Sequence, residues 1–361
     1  MILSERKRSY LLPSALILLL ILGCAALYSA SYGGESGTKI NYVALQLRWI
    51  AIGACLAGLV FIINYKRLLE LSYLFYAANL ILLLIVMFIA QPKLGAARWV
   101  SFFGVNCQPS ELMKLVIILT LARFLSSYKY KEAGAGCVAV CLILVFFPVI
   151  LILKQPDLGT SLIFIPILFA MLYIWGIRLR YIVLTFISGA AAAPLLWTLL
   201  KDYQKQRLLV FINPDIDPLG AGYTIIQSKI AIGSGGFWGK GLLRGSQGQL
   251  NFLPEHHTDF IFSCIGEEWG FIGAVIVILL FFIIIWEGLN IAQRSENMEK
   301  KLLAVGISTL FVLHVVINIC MCIGLMPVVG LPLPFISYGG SHIIVFLILA
   351  GILLNLKFDD S

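Results

Sequence analysis

Residues 250–270, LNFLPEHHTDFIFSCIGEEWG, contain the side chains best suited to chemistry, at a point where a polar stretch meets a long apolar run. Ionisable groups at the edge of an apolar run, or inside it, are costly to keep and usually have a function. We therefore predict a functional site here, centred on Asp259. The members of the stretch that could take part are Glu255, His257, Thr258, Asp259 and Glu268.

Asp259 has two compatible interpretations. Thr258 or Asp259 could begin the helix of the following apolar run, where a carboxylate suits the helix dipole. The same dipole would keep the carboxylate ionised, as a general base requires. Adjacent His256 and His257 point apart on a helix or strand and lack the HExxH spacing, so no zinc site is predicted here.

A second pair of charges lies at the start of another apolar run, in CQPSELMK. Glu111 and Lys114 are three residues apart and share a helix face, so they could form an ordinary ion pair. Because Lys114 falls well inside the apolar run, its ammonium must face the bundle interior or a wet cleft. Such a cation could bind an anion or position an acid.

The remaining candidates lie near the ends of apolar runs or between them. Arg98 in GAARW and Arg48 in LQLRW are either interfacial anchors or guanidinium groups for phosphate. Asp157 in KQPDLGTSL is either part of a tight turn or part of a site. Further polar candidates are Gln227, Lys229 and Ser234 in a glycine-containing stretch, and Ser337 and Tyr338 in PLPFISYGGS.

The elements that must position these residues are membrane helices. The chain has 361 residues, of which 60% are hydrophobic and 12% charged, and its mean hydropathy is +0.98. This composition excludes a water-soluble domain, and the apolar runs do not alternate as barrel strands do. The net charge of +8 is not accompanied by a nucleic-acid-binding motif, so no nucleic acid is expected. The cysteines lie mostly in apolar runs and predict neither disulfides nor a metal site.

We predict an all-α integral membrane protein, a single polytopic domain over residues 1–361 with ten transmembrane helices. The basic residues concentrate in loops on one side, which places both termini in the cytoplasm. One long extracytoplasmic loop, about 202–259, joins helices 7 and 8. Within it we expect a short interfacial helix over 222–233 and an adaptable glycine-rich loop after it. The predicted spans are 10–31, 44–64, 70–91, 108–126, 136–153, 159–176, 181–201, 260–287, 302–326 and 341–356.

Residues 326–342 contain three prolines and three glycines, which break the helix between the ninth and tenth spans. Irregular backbone at this depth is tolerated only where it is buried in protein or lines a wet cavity. Ser337 and Tyr338 could face such a cavity.

Taken in order, GAARW, QPSELMK, KQPDLGTSL, NPDIDPLGAGYTIIQSKIAIGSGGFWGKG, FLPEHHTDFIF and GLPLPFISYGGS resemble the SEDS family (shape, elongation, division and sporulation proteins). The resemblance spans nearly the whole chain and is closer to the elongation branch than to the division branch. It implies a peptidoglycan glycosyltransferase that polymerises lipid II on the outer face of the bacterial cytoplasmic membrane. Asp259 falls on the family's essential aspartate, Glu111 and Lys114 on its paired charges, and Arg98 on its loop arginine.

The resemblance also implies partners. These are lipid II, the growing lipid-linked glycan, a class B penicillin-binding protein acting as transpeptidase, and other membrane proteins of the elongation complex. The candidate residues singled out above fit an inverting displacement in which Asp259 is the base and cations hold the diphosphate. A divalent cation, Mg²⁺ or Mn²⁺, could assist, and no nucleotide is expected.

Two alternatives stay open from the sequence. A lipid II flippase would also use intramembrane charges and a broken helix. However, alternating access needs a polar path to both faces, and the inner halves of the spans show no polar stripe. A scaffold that only recruits the transpeptidase would not need Asp259.

Overall fold

The computed structural model describes residues 10–32, 41–89, 99–102, 105–128, 135–191, 194, 197–198, 201–218, 220–250 and 252–359. The elements within these ranges are almost all helical. In chain order they are α1 (Leu11–Ala30), α2 (Tyr42–Ile62), α3 (Tyr65–Glu70), α4 (Ser72–Ile89), β1 (Val100–Phe102), β2 (Val105–Cys107), α5 (Pro109–Ser126), α6 (Ala135–Lys154), α7 (Leu158–Trp175), α8 (Leu179–Ala191), α9 (Asp202–Ile212), a 3₁₀ turn (Pro214–Ile216), α10 (Ala221–Gly235), α11 (Ser246–Gln249), α12 (Ile261–Arg294), α13 (Met298–Cys322) and α14 (Gly340–Phe358).

Seven helices among the described residues are long and apolar enough to cross a membrane: α1, α2, α6, α7, α12, α13 and α14. This confirms a multi-pass helical protein. The other three predicted spans correspond to α4, α5 and α8. Helices α4 and α8 are apolar over shorter lengths, and α5 carries three charged residues, Glu111, Lys114 and Arg123.

The core lies around α5, α13 and α14. In the apolar windows of α13 and α14, 67% and 72% of the residues are buried, against 17% in α2, which marks α2 as peripheral. Helix α13 contacts α5, α7 and α12, and α14 packs along α2. At residue 351 a side chain larger than hydrogen would meet the main chain of Ala57, so Gly351 permits this close α2–α14 approach.

A short antiparallel hairpin leads into α5. Strands β1 and β2 pair Val100 with Cys107 and Phe102 with Val105. Pro109 then begins α5, where its fixed φ and missing N–H suit a first helical position.

Helix α12 is interrupted at Gly270, which the sequence analysis did not anticipate. Gly270 has φ +65° and ψ −160°, a conformation open essentially only to glycine. The break frees main-chain groups that would otherwise bond within the helix. Lys240 N–H donates to the carbonyl of Glu267 at 3.0 Å, and Phe271 N–H donates to the carbonyl of Gly236 at 3.0 Å. Residues 236–241 therefore dock into the break, and the prediction of an adaptable loop is wrong for this part.

The predicted helix over 222–233 is confirmed as α10, which packs against α12. The predicted irregular stretch between the last two spans is also confirmed. Residues 326–339, called here the linker, contain no helix or strand, and Leu333 to Ser337 are buried. The linker thus satisfies the expectation that irregular backbone at this depth lies inside protein.

Candidate functional site

Asp259 lies in a turn, one residue before the N-cap of α12. The N-cap is Phe260, so the prediction that Thr258 or Asp259 begins the helix is wrong. The physical reason is that their main chain is held elsewhere. The carbonyl of Asp259 accepts from Asn318 Nδ2 at 2.8 Å, and the carbonyl of Thr258 accepts from Ser337 Oγ at 2.6 Å. Asp259 is half-buried.

The linker forms one wall beside Asp259. Gly330 has φ +71°, and a Cβ there would lie 3.3 Å from Asp259 Oδ2. Tyr338 N–H donates to the carbonyl of His257 at 3.0 Å. The structure therefore brings four predicted residues, His257, Thr258, Ser337 and Tyr338, into one assembly around Asp259.

Helix α2 supports the same assembly from its N-terminal end. Buried Gln46 donates to the carbonyl of Ser337 at 3.1 Å and accepts from Gly339 N–H at 3.4 Å. The Tyr42 ring lies 4.6 Å from the His257 ring and 5.0 Å from the Tyr338 ring. Arg48 is exposed, and the rotation of about 200° between positions 46 and 48 places it on another side of α2.

Burial changes the acidity of two groups in this assembly. It lowers the pKa of His257 below its ordinary value, and neighbouring His256 lowers it further, against an opposing effect of Glu255. Burial also raises the pKa of the Tyr338 phenol. Both side chains are therefore neutral at physiological pH.

The predicted pair Glu111 and Lys114 is deeply buried, as the sequence required. Lys114 Nζ lies 2.6 Å from Glu111 Oε1, and the two side chains are 0% and 5% exposed. His342 Nδ1 lies 2.9 Å from Glu111 Oε2, and His314 Nε2 lies 3.1 Å from Lys114 Nζ. Since the Lys114 ammonium has no exposed surface, direct binding of a substrate anion by Lys114 is not supported. The pair is placed to position neighbouring groups.

Sequence reasoning missed His314, Asn318 and His342. A signal for two of them was present. His314 and Asn318 are polar, lie four residues apart and so share a face of the apolar run 302–326. Both hold the linker: His314 Nδ1 bonds the carbonyl of Pro332 at 3.0 Å, and Asn318 Nδ2 donates to the carbonyl of Leu331 at 2.8 Å.

Asp157 caps α7, which fits the predicted turn. Its carboxylate accepts from Thr160 N–H at 3.2 Å and from Thr160 Oγ1 at 3.0 Å. It also accepts from Gln108 Nε2 at 3.2 Å, next to the start of α5. Asp157 therefore ties the start of α7 to the start of α5.

Glu268 was predicted as a site residue, and the structure gives it another environment. It is 5% exposed and accepts from Ser29 Oγ of α1 at 2.6 Å. Its neighbour Glu267 bonds Lys240 Nζ at 2.6 Å and Ser246 N–H at 2.9 Å. Both carboxylates hold residues 240–247 next to the break in α12, which explains their burial.

The other predicted binders are less closely tied to Asp259. Lys229, Gln227 and Ser234 lie on α10, with Lys229 and Ser234 exposed. The Lys229 stem passes Gly324, just before the linker. The exposed Glu255 carboxylate accepts from Thr258 Oγ1 at 3.1 Å. Arg98 lies outside the described residues.

A divalent cation finds no ready set of protein ligands here. Among the residues with described positions, no three His, Cys, Asp or Glu side chains are grouped so that they could hold a metal ion.

A cavity of about 870 Å³ lies at the far end of α12 from Asp259. Its polar lining includes Glu287, Asn290 and Arg294, which lie at the end of the predicted span 260–287 or beyond it. The cavity is separated from the Asp259 end on this helix by buried apolar residues, Val277, Phe281 and Ile284.

Known proteins resemble this chain over nearly its whole length. The family model for the FtsW, RodA and SpoVE cell cycle proteins matches residues 9–361. The peptidoglycan glycosyltransferase MrdB of Escherichia coli K12 is 39% identical, covering 94% of this chain and 92% of its own. The peptidoglycan glycosyltransferase RodA of Treponema pallidum is 32% identical, covering 96% and 97%.

A solved structure shares the fold. Its subject is the structural coordination of polymerization and crosslinking by a peptidoglycan synthase complex. One of its chains matches with a TM-score of 0.81 and 28% sequence identity, covering 97% of this chain and 98% of its own.

Proposed function

Because the chain belongs to the FtsW, RodA and SpoVE family of cell cycle proteins and is RodA-like, we propose that it is a peptidoglycan glycosyltransferase serving cell elongation and rod shape. Its substrate is lipid II, which it polymerises into glycan strands. The observation that carries the proposal is Asp259, a half-buried carboxylate fixed by its main chain between α12, α13 and the linker.

Asp259 acts as the general base. It takes the proton from the acceptor's 4-hydroxyl as that oxygen attacks the anomeric carbon of the donor sugar. The bond from that carbon to the lipid diphosphate breaks, and undecaprenyl diphosphate leaves with the electron pair. Because the diphosphate is already a good leaving group, one carboxylate is enough for an inverting displacement.

The diphosphate needs cations, and the exposed ones are the best candidates. Lys229 on α10 is exposed and lies near the linker, while Lys114 is fully buried. We assign diphosphate binding to Lys229 and Arg98, with Gln227 and Ser234 as further contacts. Mg²⁺ or Mn²⁺ brought with the diphosphate would add charge stabilisation, and removal of divalent cations with a chelator tests this.

We place the chain in the bacterial cytoplasmic membrane with ten spans and Asp259 at the outer face. The seven apolar helices support this, together with α4, α5 and α8. A class B penicillin-binding protein is the proposed partner, consistent with the similarity to a chain of a peptidoglycan synthase complex. Other elongation-complex membrane proteins would join the same assembly.

Polymerisation of labelled lipid II by the purified chain with its transpeptidase tests the function. Asp259→Asn keeps the size of the side chain and removes the base, so glycan strands should disappear while membrane insertion and thermal stability stay unchanged. Asp215→Asn, at an exposed position of the 3₁₀ turn, is the matched control. Strands of near-normal yield from Asp259→Asn would remove Asp259 from the role of base.

The flippase is the second candidate because the large cavity at the far end of α12 is partly polar. Against it, the buried face of α12 between the two ends is packed with apolar side chains. Transfer of fluorescent lipid II across vesicles separates the two functions. A transferase leaves the lipid on its original face. A protein that acted only as a scaffold would still support cell growth when it carries the substitution Asp259→Ala.

A further inference from the structure

A polar face of α13, formed by Asn318 and His314, connects the turn that carries Asp259 with the linker. Asn318 is fully buried, and its amide nitrogen carries two protons. Both are used, one on the carbonyl of Asp259 and one on the carbonyl of Leu331, each at 2.8 Å. A single side chain therefore sets the spacing between the turn that carries Asp259 and the linker.

His314, one turn earlier on the same face, extends the connection to the buried charges. A carbonyl only accepts, so the bond to the carbonyl of Pro332 requires the proton on Nδ1. Nε2 of the neutral ring is then an acceptor, and it faces the ammonium of Lys114 at 3.1 Å. Lys114 in turn bonds Glu111.

The linker residues held by this face follow directly on Gly330. Gly330 packs against the Asp259 carboxylate, while Leu331 and Pro332 are the residues bonded by Asn318 and His314. A shift of either bond would move the wall beside Asp259. Misplacement of reacting groups by about 1 Å can cost roughly a hundredfold in rate.

We propose that His314 and Asn318 are positioning residues that fix Asp259 relative to the linker and connect it to the buried Glu111–Lys114 pair. The proposal rests on the proposed function and deepens it, because it gives the buried pair a task without contact with substrate. In this scheme Lys114 orders the linker through His314, and Asn318 holds the Asp259 turn against the same linker.

Asn355 offers a matched control for Asn318. It is a buried asparagine on α14, 8% exposed, and donates to the carbonyls of Phe61 and Ile63 at 2.7 and 2.9 Å. It therefore does the same structural work away from Asp259. Asn318→Ala and Asn355→Ala should both lower the melting temperature. Only Asn318→Ala should lower kcat, by roughly tenfold or more, with KM for lipid II little changed.

His314 supplies a pair of variants that keeps the proposal testable if Asn318→Ala does not fold. Gln has an amide donor and a carbonyl acceptor, so His314→Gln can restore bonds to Pro332 and Lys114 that His314→Leu removes. Polymerisation by the full chain with its transpeptidase should fall sharply for His314→Leu and recover in large part for His314→Gln. Equal activity of the two variants would overturn the role of His314.

Hydrogen exchange separates this proposal from the function itself. Amides of residues 254–262 and 328–333 should exchange faster in Asn318→Ala than in Asn355→Ala, whether or not the preparation polymerises lipid II. If kcat and exchange in Asn318→Ala match those of Asn355→Ala, the positioning role is wrong. If the wild-type chain makes no strands, the proposed function fails, and exchange alone decides whether Asn318 holds Asp259.

Discussion

At the scale of single residues, the buried pair Glu111 and Lys114 can be broken from either side. Loss of one partner leaves an uncompensated charge, which typically costs about 3–5 kcal/mol. Lys114→Met should therefore lower the free energy of unfolding by about that amount, and Glu111→Gln should do the same. Thermal unfolding in detergent measures both.

The double variant Glu111→Gln/Lys114→Met is the informative control. It removes both charges and should recover a large part of the stability, because no lone charge remains buried. It should not recover polymerisation, since His314 still lacks the ammonium that its Nε2 faces. Full recovery of activity in the double variant would contradict a functional role for the pair.

His257 gives the outer turn a pH dependence with a definite sign. Its folded pKa lies below 6.5, mainly through burial and also through His256, while Glu255 opposes the shift. The unfolded chain therefore binds the proton more readily. Stability is unaffected above the ordinary pKa and is lost as pH falls from 6.5 towards the lowered folded pKa.

Replacement by a residue that does not titrate should remove this dependence. His257→Asn should lose less melting temperature than wild type between about pH 7.5 and about pH 5.5. An identical loss in both proteins would show that His257 does not carry the effect.

At the scale of elements, the break in α12 depends on Gly270. A Cβ at residue 270 would lie 2.3 Å from Gly239 N and 2.7 Å from Phe237 O. Gly270→Ala must therefore displace residues 236–241 and also adopt a strained conformation that costs about 1–3 kcal/mol. We expect a lower melting temperature and faster proteolysis of that stretch.

Gly233→Ala is the matched control for Gly270→Ala. Gly233 lies on neighbouring α10, and a Cβ there meets nothing within 4 Å. Alanine in a helix is favoured over glycine, so Gly233→Ala should leave stability unchanged or raise it by up to about 1 kcal/mol. Equal stability of the two variants would mean that the break does not need glycine.

Local patterns predicted much of this fold and only part of its site. Apolar length located the helices, Pro109 the start of α5, and the prolines and glycines of 326–342 the linker. The sequence did not predict hydrogen bonds between residues that are far apart in the chain. Nothing near Asp259 in the sequence indicates that Asn318, 59 residues away, holds its carbonyl, or that Glu268 faces Ser29.

The sequence also did not predict the main-chain conformation of single residues. The sequence allows α12 to run unbroken, because glycine inside an apolar helix is often tolerated. The break at Gly270 depends on residues 236–241 docking against it, which is a tertiary contact. The same contact explains why the glycine-rich stretch is ordered where composition indicated an adaptable loop.

At the scale of the whole molecule, the ten-span topology depends on α8. This helix covers Leu179–Ala191, and its described apolar part is shorter than a usual span. Arg178 is exposed just before it, and Glu255 is exposed in the turn before α12. If α8 crosses the membrane, the two positions face opposite sides.

Single cysteines in a chain whose eight native cysteines are replaced test this arrangement in intact cells. A membrane-impermeant maleimide should label Glu255→Cys directly, but Arg178→Cys and Glu296→Cys only after permeabilisation. Exposed Glu296 lies between α12 and α13 and serves as the inner reference, since both helices are long and apolar enough to cross a membrane. Direct labelling of Arg178→Cys would show that α8 does not cross, and protection of Glu255→Cys would place Asp259 on the cytoplasmic side, where extracytoplasmic polymerisation is impossible.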